Sequence, residues 1–185
     1  YEQVVEFAEK NEIVVVQDAA HVMLTFQGEP LSFLQTPGAK KVGVEVHSLS
    51  KGYDMIGWRI GWVCGNSTIV QAFSDVKDNS DSGQFIAIQK SAAAALDDES
   101  IPGRIRAKYE RRLEKLVAML GSLGFQCEMP GGSYFLYMRA PGGVEGGPSF
   151  ESAEAASQYL ITEHGIVTVP WDDAGSYLRF SVTYV

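Results

Sequence analysis

The sequence has few cysteines, few basic residues and no long apolar run, and each shortage excludes a class of protein. Its 185 residues include only two cysteines, Cys64 and Cys127, which excludes a disulfide-built scaffold and favours reduced thiols. No apolar run approaches the roughly 20 residues of a membrane-spanning helix, and no signal peptide is visible. Lys and Arg number 15 against 23 Asp and Glu, and the net charge of -8 argues against nucleic acid and membrane surfaces as partners. These shortages favour a cytoplasmic protein.

The sequence does contain enough apolar material for a sizeable core. Hydrophobic residues make up 45% of the chain and charged residues 21%, which suits one large domain or one and a half small ones. A helical pattern is already under way at Tyr1, and the chain stops within an apolar run at residues 180–185. We therefore expect the chain to be a piece of a longer protein. We predict no metal site from the sequence.

The first hundred residues alternate between helical and strand patterns, which is typical of an α/β domain. The predicted elements are strands at residues 12–17, 42–47 and 60–64 and helices at residues 1–11, 66–76 and 83–97. Asp18 follows the first of these strands and Lys51 follows the second. In open α/β sheets, ligands bind at the carboxyl ends of the strands, so these two residues mark a candidate site.

After a long amphipathic helix that opens at Pro102, the pattern changes to short strands. The strands are predicted at residues 125–128, 133–138, 166–169 and 178–183, around a helix at residues 150–163. This arrangement indicates a compact α+β unit. The sequence therefore predicts two domains, residues 1–100 and residues 101–185, the second truncated at its end.

The segment around Lys51 has the residue types that a phosphorylated aldehyde cofactor needs. A lysine amine can form a Schiff base with an aldehyde. The hydroxyls of Ser48 and Ser50 and the guanidinium of Arg59 are donors that suit phosphate oxygens. Gly57 and Gly61 flank Arg59 and allow close backbone approach. The alternative is an ordinary loop lysine, which is the usual role of an isolated lysine.

A second group, Asp18-Ala19-Ala20-His21, offers partners for a pyridine ring. A carboxylate at the end of a strand can keep a pyridinium nitrogen protonated, so that the ring accepts electrons from a substrate carbanion. Ala20 is small enough for a flat ring to lie against the backbone, and His21 can donate to a ring oxygen. The alternative is that Asp18 caps a turn and His21 is a polar residue with its hydrogen bonds satisfied.

Three motifs together resemble the signature of the class I/II (fold-type I) aminotransferases, which depend on pyridoxal 5'-phosphate. They are Asp18-x-Ala20, Ser48-x-Ser50-Lys51 and Gly57-x-Arg59-x-Gly61. The resemblance implies an α/β fold of which this chain is the C-terminal portion. Residues 1–100 would be the later part of the cofactor-binding large domain, with a mostly parallel sheet and helices, and the rest a small α+β domain. Three further segments are similar to the LL-diaminopimelate aminotransferase group: Ser82–Phe85, Gly131–Tyr137 and Pro170–Gly175.

The resemblance also implies a role for each candidate residue. Lys51 would be the Schiff-base lysine and the catalytic base. The other cofactor-binding residues would be Asp18, Ala20, His21, Ser48, Ser50 and Arg59. Arg179 matches the arginine that binds the substrate α-carboxylate with two parallel hydrogen bonds; its alternative is a surface arginine on an edge strand. Asn79 would be a substrate contact that reaches a neighbouring subunit of a homodimer.

The reaction implied is transfer of an amino group from an amino acid, such as LL-diaminopimelate or glutamate, to a 2-oxo acid. Two alternatives remain open: a lyase or decarboxylase of the same fold, and a non-catalytic fragment with only a packing or dimer role. The sequence departs from the family at His21, where many members have tyrosine. It also lacks the family's glycine-containing phosphate loop, the aromatic ring stacked on the cofactor and the asparagine at the ring oxygen. We therefore expect the chain alone to have little or no activity.

Overall fold

A three-stranded sheet organises the first part of the chain. The structure is a computed structural model that describes residues 1–184, and it divides into two compact units, Tyr1–Arg106 and a second that begins at Ala107. The first unit contains α1 (Glu2–Asn11), β1 (Val15–Asp18), α2 (Ala39–Val42), β2 (Gly43–Ser48), α3 (Leu49–Gly52), β3 (Gly61–Gly65), α4 (Ser67–Ser80) and α5 (Ile86–Leu96). The division between the units falls within α6 (Ser100–Ser122).

The order of this sheet brings two of the candidate residues to one edge. Its strands are ordered β1-β2-β3, with β1 parallel to β2 and β3 antiparallel to β2, so the sheet is mixed. Asp18 is the last residue of β1 and pairs with Val46, while Lys51 lies three residues beyond the end of β2. The predicted α/β class and the three predicted strands are confirmed.

Phe33 is the centre of the core beneath β2. Its side chain is fully buried and packs with Val5 and Ala39, and the ring of Tyr1 meets it edge-on at 5.6 Å. A Cβ atom on Gly43 would lie 2.5 Å from Val15 O and 2.7 Å from Phe33 Cε1. The first residue of β2 is therefore a glycine because neither the neighbouring strand nor the Phe33 ring leaves room for a side chain.

The second unit is an antiparallel sheet with one helix packed on it. Its elements after α6 are β4 (Phe135–Arg139), α7 (Ala153–His164), β5 (Val169–Trp171) and β6 (Tyr177–Ser181). The strands are ordered β4-β6-β5, so β6 is the middle strand. Leu178 of β6 packs against Ala153 and Ala156 of α7. Because side chains alternate along a strand, Arg179 lies on the opposite face of this sheet.

One strand prediction in this unit is wrong and a second is wrong in part. Residues 125–128 form no strand: the N–H of Phe125 donates to Leu120 O at 3.1 Å and the thiol of Cys127 lies 3.8 Å from Val117 O, so the segment is tied to α6. The third predicted strand begins at Val169 instead of Ile166. The carbonyl of Thr168 accepts from Ser157 Oγ of α7 at 3.3 Å.

No helix among residues 1–184 is both long and apolar enough to cross a membrane.

Asp172 caps α7 from outside the helix, and its removal should destabilise the second unit. Its Oδ1 accepts from the N–H of Ala153 at 2.7 Å and its Oδ2 from the N–H of Glu154 at 3.1 Å. Asp172→Ala leaves both N–H groups without an acceptor, so we expect the free energy of unfolding to fall by about 1 to 2 kcal/mol. Urea denaturation followed by the fluorescence of the adjacent Trp171 measures this.

The neighbouring carboxylate provides a matched control for that experiment. Asp173 is exposed and its side chain makes no hydrogen bond that the structure describes within residues 1–184. Asp173→Ala should therefore change the free energy of unfolding by less than about 0.5 kcal/mol. Equal effects of the two substitutions would show that loss of a surface charge, and not loss of the cap, destabilises the unit.

Candidate active site

Lys51 lies in a single turn of helix that starts directly at the end of β2. The hydroxyl of Ser48 accepts from the N–H of Ser50 at 3.1 Å, which caps this turn. Gly52 closes it, and a Cβ atom there would lie 2.5 Å from Met23 Cβ. The backbone of α3 therefore packs directly against the short 3-10 turn Val22–Leu24, which follows His21.

Asp18 and His21 occupy the segment that leaves β1 at the same edge of the sheet. The N–H of Ala19 donates to Val46 O at 2.9 Å, which continues the parallel pairing past the end of β1. Asp18 Oδ1 accepts from the N–H of Ala20 at 3.0 Å. Asp18 thus does cap a turn, as the alternative interpretation predicts, and within the described residues this hydrogen bond occupies only one of its two carboxylate oxygens.

The electrostatics of His21 link it to both Asp18 and Lys51. The pKa of His21 lies below its usual value, first because partial burial disfavours the imidazolium and second because the Lys51 ammonium repels it; Asp18 opposes both effects. The geometry supports this link, because β1 pairs parallel to β2 and Gly52, next to Lys51, packs against Met23, two residues after His21. The fold therefore brings Asp18, His21 and Lys51 into one cluster at the carboxyl ends of β1 and β2.

His21 should be neutral at pH 7, and its titration reports on this cluster. We expect an NMR titration midpoint below the usual 6.5. Because the folded-state pKa is lowered, protonation favours the unfolded chain. The free energy of unfolding should therefore fall as the pH drops from the unfolded-state value through the folded-state pKa, and His21 should have no effect above that window.

Variants of the two charged neighbours test the cause of this shift. Lys51→Gln removes the repulsion and should raise the midpoint of His21, whereas Asp18→Asn removes the attraction and should lower it further. A midpoint at or above 6.5 in the unmodified chain would contradict the cluster, as would midpoints that move the same way in both variants.

Arg59 is held beside the start of α3 in an unusual backbone conformation. Its φ of 52° and ψ of 54° are left-handed, which costs a non-glycine residue about 1 to 2 kcal/mol. Its Nη1 donates to Ile56 O at 3.0 Å. The next residue, Ile60, accepts from the N–H of Leu49 at 3.4 Å, and Gly61 pairs with Ser48. Backbone strain of this kind is found more often at functional positions than elsewhere.

Of the two glycines that flank Arg59, only Gly61 is required by a close approach. A Cβ atom on Gly61 would lie 2.5 Å from His47 O, whereas one on Gly57 would meet no atom within 4 Å. Gly61 thus lets β3 approach the end of β2.

The donor set fits a phosphorylated pyridine aldehyde. Lys51 provides a primary amine and Asp18 a carboxylate, and Ser48, Ser50 and Arg59 provide hydroxyl and guanidinium donors that suit phosphate. Ser50 is buried and Ser48 half-buried, so both hydroxyls are held in place at the start of α3. The residues present therefore fit pyridoxal 5'-phosphate.

Arg179 has the features of an anion-binding arginine. It lies on the middle strand β6 and not on an edge strand, which excludes the alternative drawn from sequence. The guanidinium carbon lies 4.3 Å from the ring centre of Phe135 and 6.0 Å from that of Trp171. Its Nε is buried without a hydrogen-bond partner among residues 1–184. A buried donor of this kind is costly unless an acceptor binds to it.

Asn79 is not joined to the cluster by any contact that the structure describes in residues 1–184. It is exposed in the last turn of α4, and its Nδ2 donates to Asp75 O of the same helix at 2.7 Å.

The aromatic neighbours of Arg179 were not predicted from the sequence. The two-residue spacing of Phe135 and Tyr137 in β4 was the available signal, because it places both rings on one face.

Known proteins similar to this chain agree on its class. The model of the family "Aminotransferase class I and II" matches residues 1–184. The chain is 52% identical over 185 residues to an LL-diaminopimelate aminotransferase of Methanocaldococcus jannaschii, covering 100% of this chain and 44% of that relative. It is 50% identical over 184 residues to the protein of the same name from Methanococcus maripaludis, again covering 100% of this chain and 44% of the relative.

Solved structures show the same similarity. Substrate-bound BacF from Bacillus subtilis superposes with a TM-score of 0.91 at 29% identity, covering 100% of this chain and 47% of that one. An aminotransferase from Staphylococcus aureus gives 0.85 at 25% identity, over 100% and 50% of the two chains. The chain thus spans a little under half the length of the curated relatives that it matches. The family model matches almost the whole length of this chain, which shows that the chain belongs to the class I and II aminotransferases.

Proposed function

We propose that this chain supplies the lysine, the ring partner and part of the phosphate site of an aminotransferase. Its substrates would be an amino acid, with LL-diaminopimelate or glutamate as first candidates, and a 2-oxo acid. The observation that carries the proposal is the cluster of Asp18, His21 and Lys51 at the carboxyl ends of two parallel strands. The names of the two relatives at 52% and 50% identity support the choice of LL-diaminopimelate.

Lys51 would hold the cofactor and move the proton. When bound, pyridoxal phosphate supplies an aldehyde that reacts with primary amines and a conjugated ring that accepts electrons when a C–H bond breaks. Lys51 Nζ is the primary amine in the cluster. Once the substrate amine takes its place, Lys51 Nζ can accept the proton from the substrate α-carbon and later return it as a general acid.

Asp18, His21 and the residues around α3 would orient the cofactor. An Asp18 carboxylate oxygen would hold the proton of the ring nitrogen, and the neutral imidazole of His21 would donate to a ring oxygen where many relatives use tyrosine. Ser48, Ser50 and Arg59 would bind the phosphate, whose negative charge the Arg59 guanidinium offsets. Arg59 would then leave its hydrogen bond to Ile56 O for the phosphate oxygens.

Arg179 would bind the α-carboxylate of the substrate. A carboxylate that accepts from Nε and one Nη in parallel would satisfy the buried Nε that lacks a partner. Phe135 and Trp171 would hold the guanidinium plane in place. Positioning the carboxylate orients the α-hydrogen toward a base, which is a large part of what an enzyme contributes to such a step.

We also propose that the 185-residue chain alone has little or no turnover and that the whole protein is a cytoplasmic homodimer. The chain spans 44% of the length of the LL-diaminopimelate aminotransferases it matches, and the predicted aromatic, asparagine and glycine-loop contributions to the cofactor are absent from its sequence.

A cofactor titration with chemical trapping tests the site. The chain would be titrated with pyridoxal phosphate, reduced with borohydride and digested, and the labelled peptide identified by mass spectrometry. We expect one label per chain, on Lys51, at cofactor concentrations that leave other lysines unlabelled. Label spread over exposed lysines such as Lys41 would refute a formed site in this chain. Turnover by the chain alone would refute only the proposal that it is inactive.

A further inference from the structure

Three metal-ligating side chains meet on one face of the sheet, and none of them belongs to the cluster described above. Glu45 and His47 are two residues apart on β2, so they lie on the same face. Cys64 of β3 pairs directly with Glu45 in the antiparallel register. The ligand atoms of the three residues all lie within 4.8 Å of one another. The group cannot be recognised from residue spacing in the sequence, because Cys64 joins it only through the pairing of β3 with β2.

The carboxylate at the centre of this group is buried and held in place. Glu45 is only 3% exposed. Its Oε1 accepts from Ser32 Oγ at 2.6 Å and from the N–H of Leu34 at 3.1 Å, while His47 Nε2 lies 2.8 Å from its Oε2. The His47 ring also stacks on Trp62 at 5.1 Å. Two of the three side chains are thus fixed by their surroundings, as ligands in metal sites usually are.

We propose that Glu45, His47 and Cys64 form a binding site for one Zn²⁺ ion. Carboxylate, imidazole and thiolate are the three protein ligand types of zinc, and three such ligands leave a fourth position for water. A carboxylate and a thiolate together balance the charge of a divalent cation, and a thiolate disfavours the hard cations Mg²⁺ and Ca²⁺.

The three ligand atoms lie within 4.8 Å of one another, and the shortest printed separation is the 2.8 Å between His47 Nε2 and Glu45 Oε2. Metal–ligand bonds of about 2.0 to 2.3 Å put neighbouring ligand atoms about 3.3 to 3.7 Å apart. The contact of 2.8 Å between His47 and Glu45 must therefore lengthen by about half an ångström as the metal replaces the shared hydrogen bond. Binding also displaces the thiol proton of Cys64, which goes to solvent.

Such a site would join β2 to β3 one residue before Ser48. Strand β2 leads directly into the turn that carries Lys51. A bound metal would therefore stabilise the end of the strand from which the candidate active site is built. The stabilisation grows with the ratio of free metal to its dissociation constant. The Zn²⁺ site is independent of the proposed aminotransferase reaction, because it uses none of the residues assigned to the cofactor or substrate.

Cobalt titration of the reduced chain tests the site, because Co²⁺ adopts zinc geometry and a thiolate ligand gives it a charge-transfer absorption band. We expect one Co²⁺ per chain, release of the thiol proton and displacement of Co²⁺ by Zn²⁺. Cys64→Ser should abolish the thiolate band, and the matched control Cys127→Ser should retain it. Ser32→Ala, which removes a support of Glu45, should weaken binding about tenfold.

Circular dichroism shows whether each variant is folded. If Cys64→Ser does not fold, His47→Gln is used in its place. A thiolate band that persists in Cys64→Ser, or Co²⁺ binding of unchanged affinity in His47→Gln, would overturn the proposal. Absence of saturable Co²⁺ and Zn²⁺ binding by the unmodified chain would overturn it as well.

Discussion

Replacing Lys51 with alanine is expected to abolish borohydride-stable labelling of the site by pyridoxal phosphate. The label needs a primary amine, and within the Asp18, His21 and Lys51 cluster Lys51 alone has one. The measurement is the fraction of chains that carry the cofactor mass after reduction, compared between variant and unmodified protein at the same cofactor concentration. We expect the label on the variant to fall to the background level of exposed lysines.

Two further variants separate the amine from the positive charge. Lys51→Arg keeps a cation beside His21 but cannot form the reducible bond, so labelling should be lost while the pKa of His21 stays low. Lys41→Ala removes an exposed lysine that pairs with Glu9 at 3.5 Å, and it should leave the label on Lys51 unchanged. Undiminished labelling of Lys51→Ala would refute Lys51 as the cofactor lysine.

Replacing Phe33 with alanine should destabilise the first unit more than any other substitution discussed above. The ring is fully buried between α1, α2 and β2, and its removal leaves a cavity next to Gly43 that the backbone cannot fill. Substitutions of this type lower the free energy of unfolding by about 3 to 5 kcal/mol. Urea denaturation followed by the fluorescence of Trp58 and Trp62, both in the first unit, measures the loss.

Two controls define what the loss means. Phe33→Leu keeps most of the apolar volume and should be much milder, at less than about 1.5 kcal/mol. Leu31→Ala changes a side chain that is 71% exposed and should have an effect within about 0.5 kcal/mol of zero. Similar losses for Leu31→Ala and Phe33→Ala would show that the turn at residues 33–35 does not anchor the core.

The elements that carry Asp18 and Lys51 could be predicted from sequence because their signals are local. A continuous β-branched run predicts β1 and a strand-like run at residues 42–47 predicts β2, and parallel pairing then puts both residues at one edge of the sheet. The helix predicted at residues 150–163 ends at His164, one residue later, where Gly165 takes a φ of 65°. The family motifs add the cofactor, which no periodicity in these strands indicates.

The rest depends on contacts between distant residues, which a single sequence does not contain. Residues 125–128 alternate like a strand, yet α6 takes their hydrogen bonds. The unsatisfied Nε of Arg179 follows from where Phe135 and Trp171 lie on neighbouring strands. The group of Glu45, His47 and Cys64 exists only because β3 returns antiparallel to β2.

The left-handed backbone at Arg59 implies that two laboratory selections would favour different residues at this position. A library screened only for heat resistance should enrich glycine at residue 59, since glycine adopts a φ of 52° without the steric penalty that every other residue meets. A library screened for binding of pyridoxal phosphate should keep arginine, because the proposed phosphate ligand is its guanidinium, which glycine lacks. Sequences chosen by the first screen alone would therefore be more stable to heat and would lack the proposed phosphate ligand.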